Sequence, residues 1–353
     1  MNSKKRILVA PLNWGLGHAT RCIPIINALI ENDFEPILAS DGDALAMLKK
    51  EFPRLTCLEL PSYGIRYSKK ASHFKLRILM DSPSIIKAIK NEKEVTAKII
   101  KAYDIIGSIS DNRFGVRNKQ IPSVFITHQL NVLSGSTSWL SSKLHQGSIS
   151  KFDECWVPDT EETPNLSGRL GHLDNSSLIT KYIGPLSRFE KKEFDPVYDL
   201  MILLSGPEPQ RTILENRLFA ELKGFHGRVI FVQGKVEKKQ SCSKNGNITI
   251  YNFMNTTELE IAINQSGLLI CRSGYTTIMD LFKLEKKAFF IPTPGQFEQE
   301  YLANRLKEAG IAPFCTQKQF SIDKLTEVKD YNGFRAINNT MDLGDLFDLF
   351  QCE

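Results

Sequence analysis

Short apolar runs alternate along the chain with stretches in which apolar residues recur every three or four positions. In the first half, residues 6–11, 37–40, 103–110, 122–127 and 152–158 read as strands, and 21–30 and 44–50 carry helical periodicity. The pattern restarts at residue 200. Strands are expected at 200–204, 229–233, 248–251, 268–271 and 288–291, with helices at 211–222, at 259–264 and after Gly274. Strands separated by helices indicate parallel sheets covered on both faces. The fold class is therefore α/β, with two doubly wound, Rossmann-like domains facing across a cleft. The expected boundaries are 1–186, a charged linker at 187–198, and 199–353, in which 341–350 is a helix packing across the two halves.

Open parallel sheets bind ligands beyond the carboxyl ends of their strands, and polar residues gather there. The first strand runs into Asn13-Trp14-Gly15-Leu16-Gly17-His18. Gly15 and Gly17 permit a tight turn and close backbone approach to a ligand. Thr20 stands where a dinucleotide-binding fingerprint needs its third glycine, which counts against NAD. His18 sits at a helix start, where the dipole disfavours protonation and keeps the imidazole neutral, as a general base requires. A helix-capping or partly buried histidine is the other reading. Asp111 and His128 end two later strands on the same rim. Each either orients His18 or an acceptor hydroxyl, or serves its own strand end. Asp41 and Asp43 form a D-x-D, a metal-binding pattern of some nucleotide-sugar enzymes, but between a strand and a helix Asp43 reads as an N-cap. No metal is expected.

In the second half Ser205 and Gly206 precede a helix and offer backbone N–H groups to a phosphate. Arg272-Ser273-Gly274 is a second such turn, with Ser273 and Thr276 as N-cap candidates. Ile278, Leu281 and Phe282 form the apolar stripe of the following helix and turn Asp280 elsewhere. Its carboxylate either accepts hydrogen bonds from ribose hydroxyls or is an acid favoured by the helix dipole.

Arg272-Ser273-Gly274 with Asp280, followed by Pro292 and Phe297-Glu298-Gln299-Glu300, resembles the donor half of MurG-type nucleotide-sugar glycosyltransferases, the family 28 C-terminal domain type. The resemblance implies a GT-B architecture and an inverting, metal-independent transfer from a UDP-sugar to a hydroxyl acceptor. The UDP-sugar serves as co-substrate, and no cofactor is needed. It further implies that Asp280 holds the ribose, Glu298 and Gln299 the sugar, and the Phe253-Met254 backbone the uracil edge. An apolar pair packing its loop is the other reading of Phe253-Met254. Gly15-Leu16-Gly17-His18 resembles the family's first loop, whose histidine lies near the acceptor hydroxyl, and Gln129 and Asn131 resemble its polar run on the acceptor side. Trp14, Pro207, Pro209 and Glu300 depart from the pattern, which separates this chain from the peptidoglycan enzyme. Two further readings are a nucleotide-sugar 2-epimerase, which needs no acceptor, and a non-catalytic nucleotide-sugar binding protein.

Composition narrows the partners. At 353 residues the chain can bury two cores, and a net charge of +5 is too mild to indicate nucleic acid. The first residues pass from Lys4, Lys5 and Arg6 straight into a strand, without a signal-peptide pattern, and seven scattered cysteines form no C-x-x-C pair. A cytoplasmic protein with reduced thiols is expected. Residues 63–101 interleave Lys69, Lys70, Lys75, Arg77, Lys87, Lys90, Lys93, Lys98 and Lys101 with apolar positions. That segment is either a peripheral contact with an anionic membrane, serving a glycan or lipid-linked acceptor, or a solvated helix face over a core stripe.

Overall fold

The computed structural model describes residues 4–64, 74–133, 138–173, 177–235, 237–334 and 343–351, with backbone alone in 74–83. The chain divides into two compact units, one holding the residues up to Leu186 together with the C-terminal segment, the other beginning at Ser187.

The first unit contains β1 (Arg6–Pro11), α1 (Gly17–Glu31), β2 (Glu35–Ser40), α2 (Gly42–Glu51), β3 (Cys57–Glu59), α3 (Phe74–Tyr103), β4 (Ile105–Asp111), β5 (Ser123–Ile126), α4 (Ser138–Ile149), β6 (Glu154–Val157) and β7 (Thr180–Tyr182). Its sheet has the order β3-β2-β1-β4-β5-β6-β7, and every pairing is parallel. Parallel strands covered on both faces need near-continuous apolar runs. Ile7, Leu8, Val9 and Ala10 of β1 are accordingly all buried. The register sets Pro11 beside Asp111 and Asp111 beside Ile126, so the ends of β1, β4 and β5 meet on one rim.

The second unit contains β8 (Tyr198–Leu203), α5 (Gln210–Glu221), β9 (Val229–Val232), β10 (Cys242–Asn245), β11 (Ile248–Tyr251), α6 (Thr256–Asn264), β12 (Ser266–Cys271), α7 (Tyr275–Lys283), β13 (Ala288–Phe290) and α8 (Phe297–Glu308). The order is β10-β11-β9-β8-β12-β13, parallel except for the β10–β11 pairing. Leu200, Ile202, Leu214, Phe231, Ile270 and Phe289 build its core.

Two boundaries differ from the sequence reading. Residues 187–198, expected as a linker, are built into the second unit: Phe189 is buried, and the N–H groups of Glu190 and Lys192 donate to Glu260 and Asn264 of α6. The terminal segment Leu343–Phe350, expected within the second domain, is a 3₁₀ helix of the first unit. Its stripe Leu346, Phe347 and Phe350 is buried, with Phe347 against Phe34 and both phenylalanines against Trp156. Each such ring removed from water contributes roughly 1.5–3 kcal/mol, enough to fix the tail there. Gly107 on β4 makes the seat, since a Cβ there would come 2.2 Å from Phe350 Cδ1.

Candidate active site

The rim of the first unit carries the groups singled out in its sequence. Gly15, at φ +74°, takes the left-handed turn after β1, and α1 opens at Gly17, so His18 and Arg21 share a face of its first turn. Asp111 is the last residue of β4 and is held in place as its carbonyl accepts the Leu12 N–H at 2.9 Å. His18 Nδ1 lies 2.8 Å from Asp111 Oδ1, while Arg21 clasps the same carboxylate through Nε and Nη2. Asn112 Nδ2 adds a further bond to Oδ1 at 3.0 Å. Burial would raise the Asp111 carboxyl, yet the charge of Arg21 and the hydrogen bonds from His18 and Arg21 hold it well below the usual carboxylate range.

These contacts assign the protons. Asp111 is an anion and can only accept, so His18 Nδ1 carries the proton and donates it, although Arg21 Nη2 also lies 2.9 Å from Nδ1. His18 Nε2 then presents a lone pair, on a side chain 15% exposed. His128 has the opposite tautomer: Arg21 Nη1, which can only donate, is 2.9 Å from His128 Nδ1. His128 is thus a buried acceptor that positions Arg21. Arg21 itself was passed over in the sequence because it lies inside an apolar helical stripe; its signal is the His-x-x-Arg spacing. Asn131, expected on the acceptor side, commits its amide to the carbonyls of Arg169 and His172 at 2.7 and 3.3 Å and so ties down a loop. Asp41, and not Asp43, precedes α2, and its side chain turns to Arg113 at 2.6 Å. Among the described residues no three His, Cys, Asp or Glu side chains are grouped to hold a metal.

In the second unit the ends of β8, β12 and β13 carry the expected donor residues. Ser205 and Gly206 are exposed, and Gly206 has φ +101°. The first turn of α5, expected to receive a phosphate, is already capped from within: Glu208 accepts the Thr212 N–H at 3.3 Å and Arg211 Nε at 2.7 Å. Pro207 and Pro209 have no N–H to offer. The N-cap of α7 is Gly274, which has no side chain to cap the helix.

Arg272, expected to face the ligand, is turned inward. Its guanidinium bonds to the carbonyls of Ile291, Pro292 and Gln210 and to Gln317, at 2.8–3.1 Å. Burial pulls it down to about 10, so it stays charged, and the partners that hold it are carbonyls and a side-chain amide. Ser273 is buried and donates to the Gln299 carbonyl at 2.7 Å, a bracing role where a cap was expected. Thr276 and Glu298 are half-exposed near the two helix starts.

Gln299 Oε1 accepts the Thr293 N–H at 2.8 Å, which fixes the orientation of its side-chain amide. Glu300 caps the same loop by accepting the Gly295 N–H at 3.1 Å. Asp280 accepts from Ser187 Oγ at 2.6 Å; burial pushes its carboxyl up to about 6, against the opposing effects of that bond and of Arg188. Phe253 is bonded at both backbone groups, its N–H to Asn252 Oδ1 at 2.9 Å and its carbonyl to Gln240 at 3.0 Å. Any backbone reading of a base there falls to Met254.

Of the basic segment, Lys69, Lys70, Lys75 and Arg77 lie outside the described side chains. Lys87, Lys90, Lys93, Lys98 and Lys101 of α3 are exposed, opposite buried Glu92, Thr96, Ile99 and Ile100. No helix among the described residues is long and apolar enough to cross a membrane.

Residues 210–332 match the glycosyltransferase family 28 C-terminal domain. The UDP-N-acetylglucosamine–N-acetylmuramyl-(pentapeptide) pyrophosphoryl-undecaprenol N-acetylglucosamine transferase of Haemophilus ducreyi is 24% identical over 210 residues, 58% of this chain and 56% of that protein. The chain thus spans little more than half of that relative. The Pasteurella multocida protein of the same description is 27% identical over 266 residues, 72% of this chain and 70% of its own. The crystal structure of Acinetobacter baumannii MurG superposes with a TM-score of 0.57 at 13% identity, over 99% of each chain. That likeness establishes the fold as two Rossmann-like α/β units of the GT-B type, as the sequence led us to expect.

Proposed function

We propose that the protein is a glycosyltransferase that moves a sugar from a nucleotide sugar to a hydroxyl acceptor. The observation that carries this reading is the His18–Asp111 pair clamped by Arg21 at the strand ends of the first unit. With Nδ1–H held by an anion, His18 Nε2 takes the acceptor hydroxyl proton as that oxygen attacks the anomeric carbon. The bond from that carbon to the phosphate oxygen breaks in the same step. Such an in-line displacement inverts the anomeric centre. The departing diphosphate is stabilised by the N–H groups of Ser205 and Gly206, by the dipole at the N-terminus of α7 and by the field of Arg272, an arrangement that works without a metal.

The matching carboxy-terminal domain and the relatives described as UDP-N-acetylglucosamine transferases support a UDP-sugar donor. Met254 meets the uracil edge, Asp280 the ribose, and Glu298 with the Gln299 amide the sugar. The acceptor is a glycan or lipid-linked alcohol. A peripheral contact with an anionic membrane brings the enzyme to a lipid-linked acceptor. The α3 lysines and the exposed Trp139, Leu140 and Leu144 of α4, with Lys143 Nζ 5.1 Å from the Trp139 ring, are suited to that contact.

The test is a titration of UDP-, GDP-, TDP- and ADP-sugars against wild type and Asp280→Ala, with and without Mg²⁺. One uridine sugar should bind saturably in both conditions and at least about 10-fold more weakly to the variant, in line with a lost charge-assisted hydrogen bond. If no nucleotide sugar binds, the transferase reading is withdrawn.

A further inference from the structure

Thr293 lies three residues beyond β13, at the foot of the loop that leads into α8. Its backbone is fully engaged, the N–H with Gln299 Oε1 at 2.8 Å and the carbonyl with the Gln296 N–H at 3.1 Å. The side chain is only 2% exposed, yet Thr293 Oγ1 has no hydrogen-bond partner among the described residues. A buried hydroxyl without a partner is destabilising, so its persistence calls for an explanation in function or packing.

Its direction supplies one. A Cβ built on Gly206 would have Thr293 Oγ1 as its one neighbour within 4 Å, at 3.6 Å. The hydroxyl therefore reaches past the end of β12, which lies between β8 and β13 in the sheet, and faces the Ser205–Gly206 turn. That turn is short of donors. Pro207 and Pro209 lack N–H groups and Glu208 caps α5, which leaves Ser205 and Gly206, neither with a hydrogen bond among the described residues. At φ +101°, Gly206 takes a backbone conformation that side-chain-bearing residues rarely adopt.

We propose that Thr293 Oγ1 is a phosphate-binding group of the donor site, reached when the Gly206 turn adjusts around the nucleotide, and that it replaces the amide donors removed by the two prolines. The inference rests on the reading of the second unit as a nucleotide-sugar site and names a ligand for the phosphoryl oxygens that the sequence did not suggest. In the absence of nucleotide the hydroxyl is a liability; with a phosphoryl oxygen in reach it is a donor. Thr293→Val removes only the hydroxyl at constant shape and separates these two effects, while Thr293→Ser restores it.

The experiment measures binding of UDP, UMP and uridine to wild type, Thr293→Val and Thr293→Ser by calorimetry, alongside thermal unfolding without nucleotide. Thr293→Val should bind UDP about 10-fold more weakly, in line with one lost hydrogen bond to a charged group. It should bind uridine as wild type does, and Thr293→Ser should recover most of the UDP affinity. Without nucleotide, Thr293→Val should unfold about 2–4 °C above wild type, as relief of an unpaired buried hydroxyl predicts for a unit of this size. A merely structural threonine would move both readings the same way. Unchanged UDP affinity in Thr293→Val, or an equal loss for uridine, overturns the inference and leaves the nucleotide site standing. If wild type binds neither UDP nor GDP, TDP or ADP, the nucleotide-site reading falls and this inference with it.

Discussion

Asp111 has two roles that mutation can separate. It fixes the His18 tautomer, and it neutralises Arg21 inside the first unit, where both side chains are buried. Asp111→Asn keeps the shape but gives up the anion, so His18 loses the acceptor that fixes its tautomer and Arg21 becomes an uncompensated buried cation. Turnover should fall by roughly 10²–10⁴, the range for losing an oriented base, while the unfolding free energy drops by about 3–5 kcal/mol, as when a buried pair is broken. His18→Ala removes a side chain at the rim and should show the same loss of turnover at nearly wild-type stability. Steady-state kinetics with denaturant unfolding on both variants checks this. A stable, fully active His18→Ala enzyme would remove the base assignment.

At the scale of elements, the C-terminal 3₁₀ helix is held by a ring against a glycine. Phe350→Ala should destabilise the first unit by about 3–5 kcal/mol, and Gly107→Ala by about 1–3 kcal/mol through overpacking of the Phe350 ring. Because the two changes meet in one contact, the double variant should be well short of additive, a coupling that a double-mutant cycle measures directly. Sequence could name this segment as apolar and helical, but not its seat. The apolar stripe says what must be buried, and any complementary surface on either unit satisfies it. The same limit explains what else was missed. Strands β3 and β7 have three residues each, and β10 is an exposed, polar edge, so none carries an apolar period. Helix α4 is rich in serine and leaves Trp139, Leu140 and Leu144 exposed, which blurs its period. The interior strands and the strand-end residues His18, Asp111, His128 and Ser205 were legible, because long buried strands and polar termini mark the sequence directly. Arg21, Glu208 and Thr293 were not, since their roles depend on which side chains the fold brings opposite them.

For the whole molecule, two units with separate cores predict two unfolding transitions with different sensitivities. UDP at about 100 times its Kd should stabilise only the unit it binds, by about 2.7 kcal/mol, and Phe350→Ala should lower only the other. Acidity separates them further. In the first unit, burial holds His145 down to about 4, while the unfolded chain takes up that proton near 6.5. As pH falls from about 6.5 to 4 the unfolded state binds more protons, so this contribution to stability is lost. In the second unit Asp280 is pushed up to about 6, above the unfolded value of 3.8. There the folded state takes up its proton first, and stability is gained as pH falls through 6 toward 4. Between pH 7.5 and 5 the two residues therefore move their units in opposite directions, each by a few kcal/mol at most. His145→Phe should flatten the descent of one transition and Asp280→Asn the gain of the other, as scanning calorimetry across that range would record. If both variants altered the same transition, the assignment of these residues to separate units would be wrong.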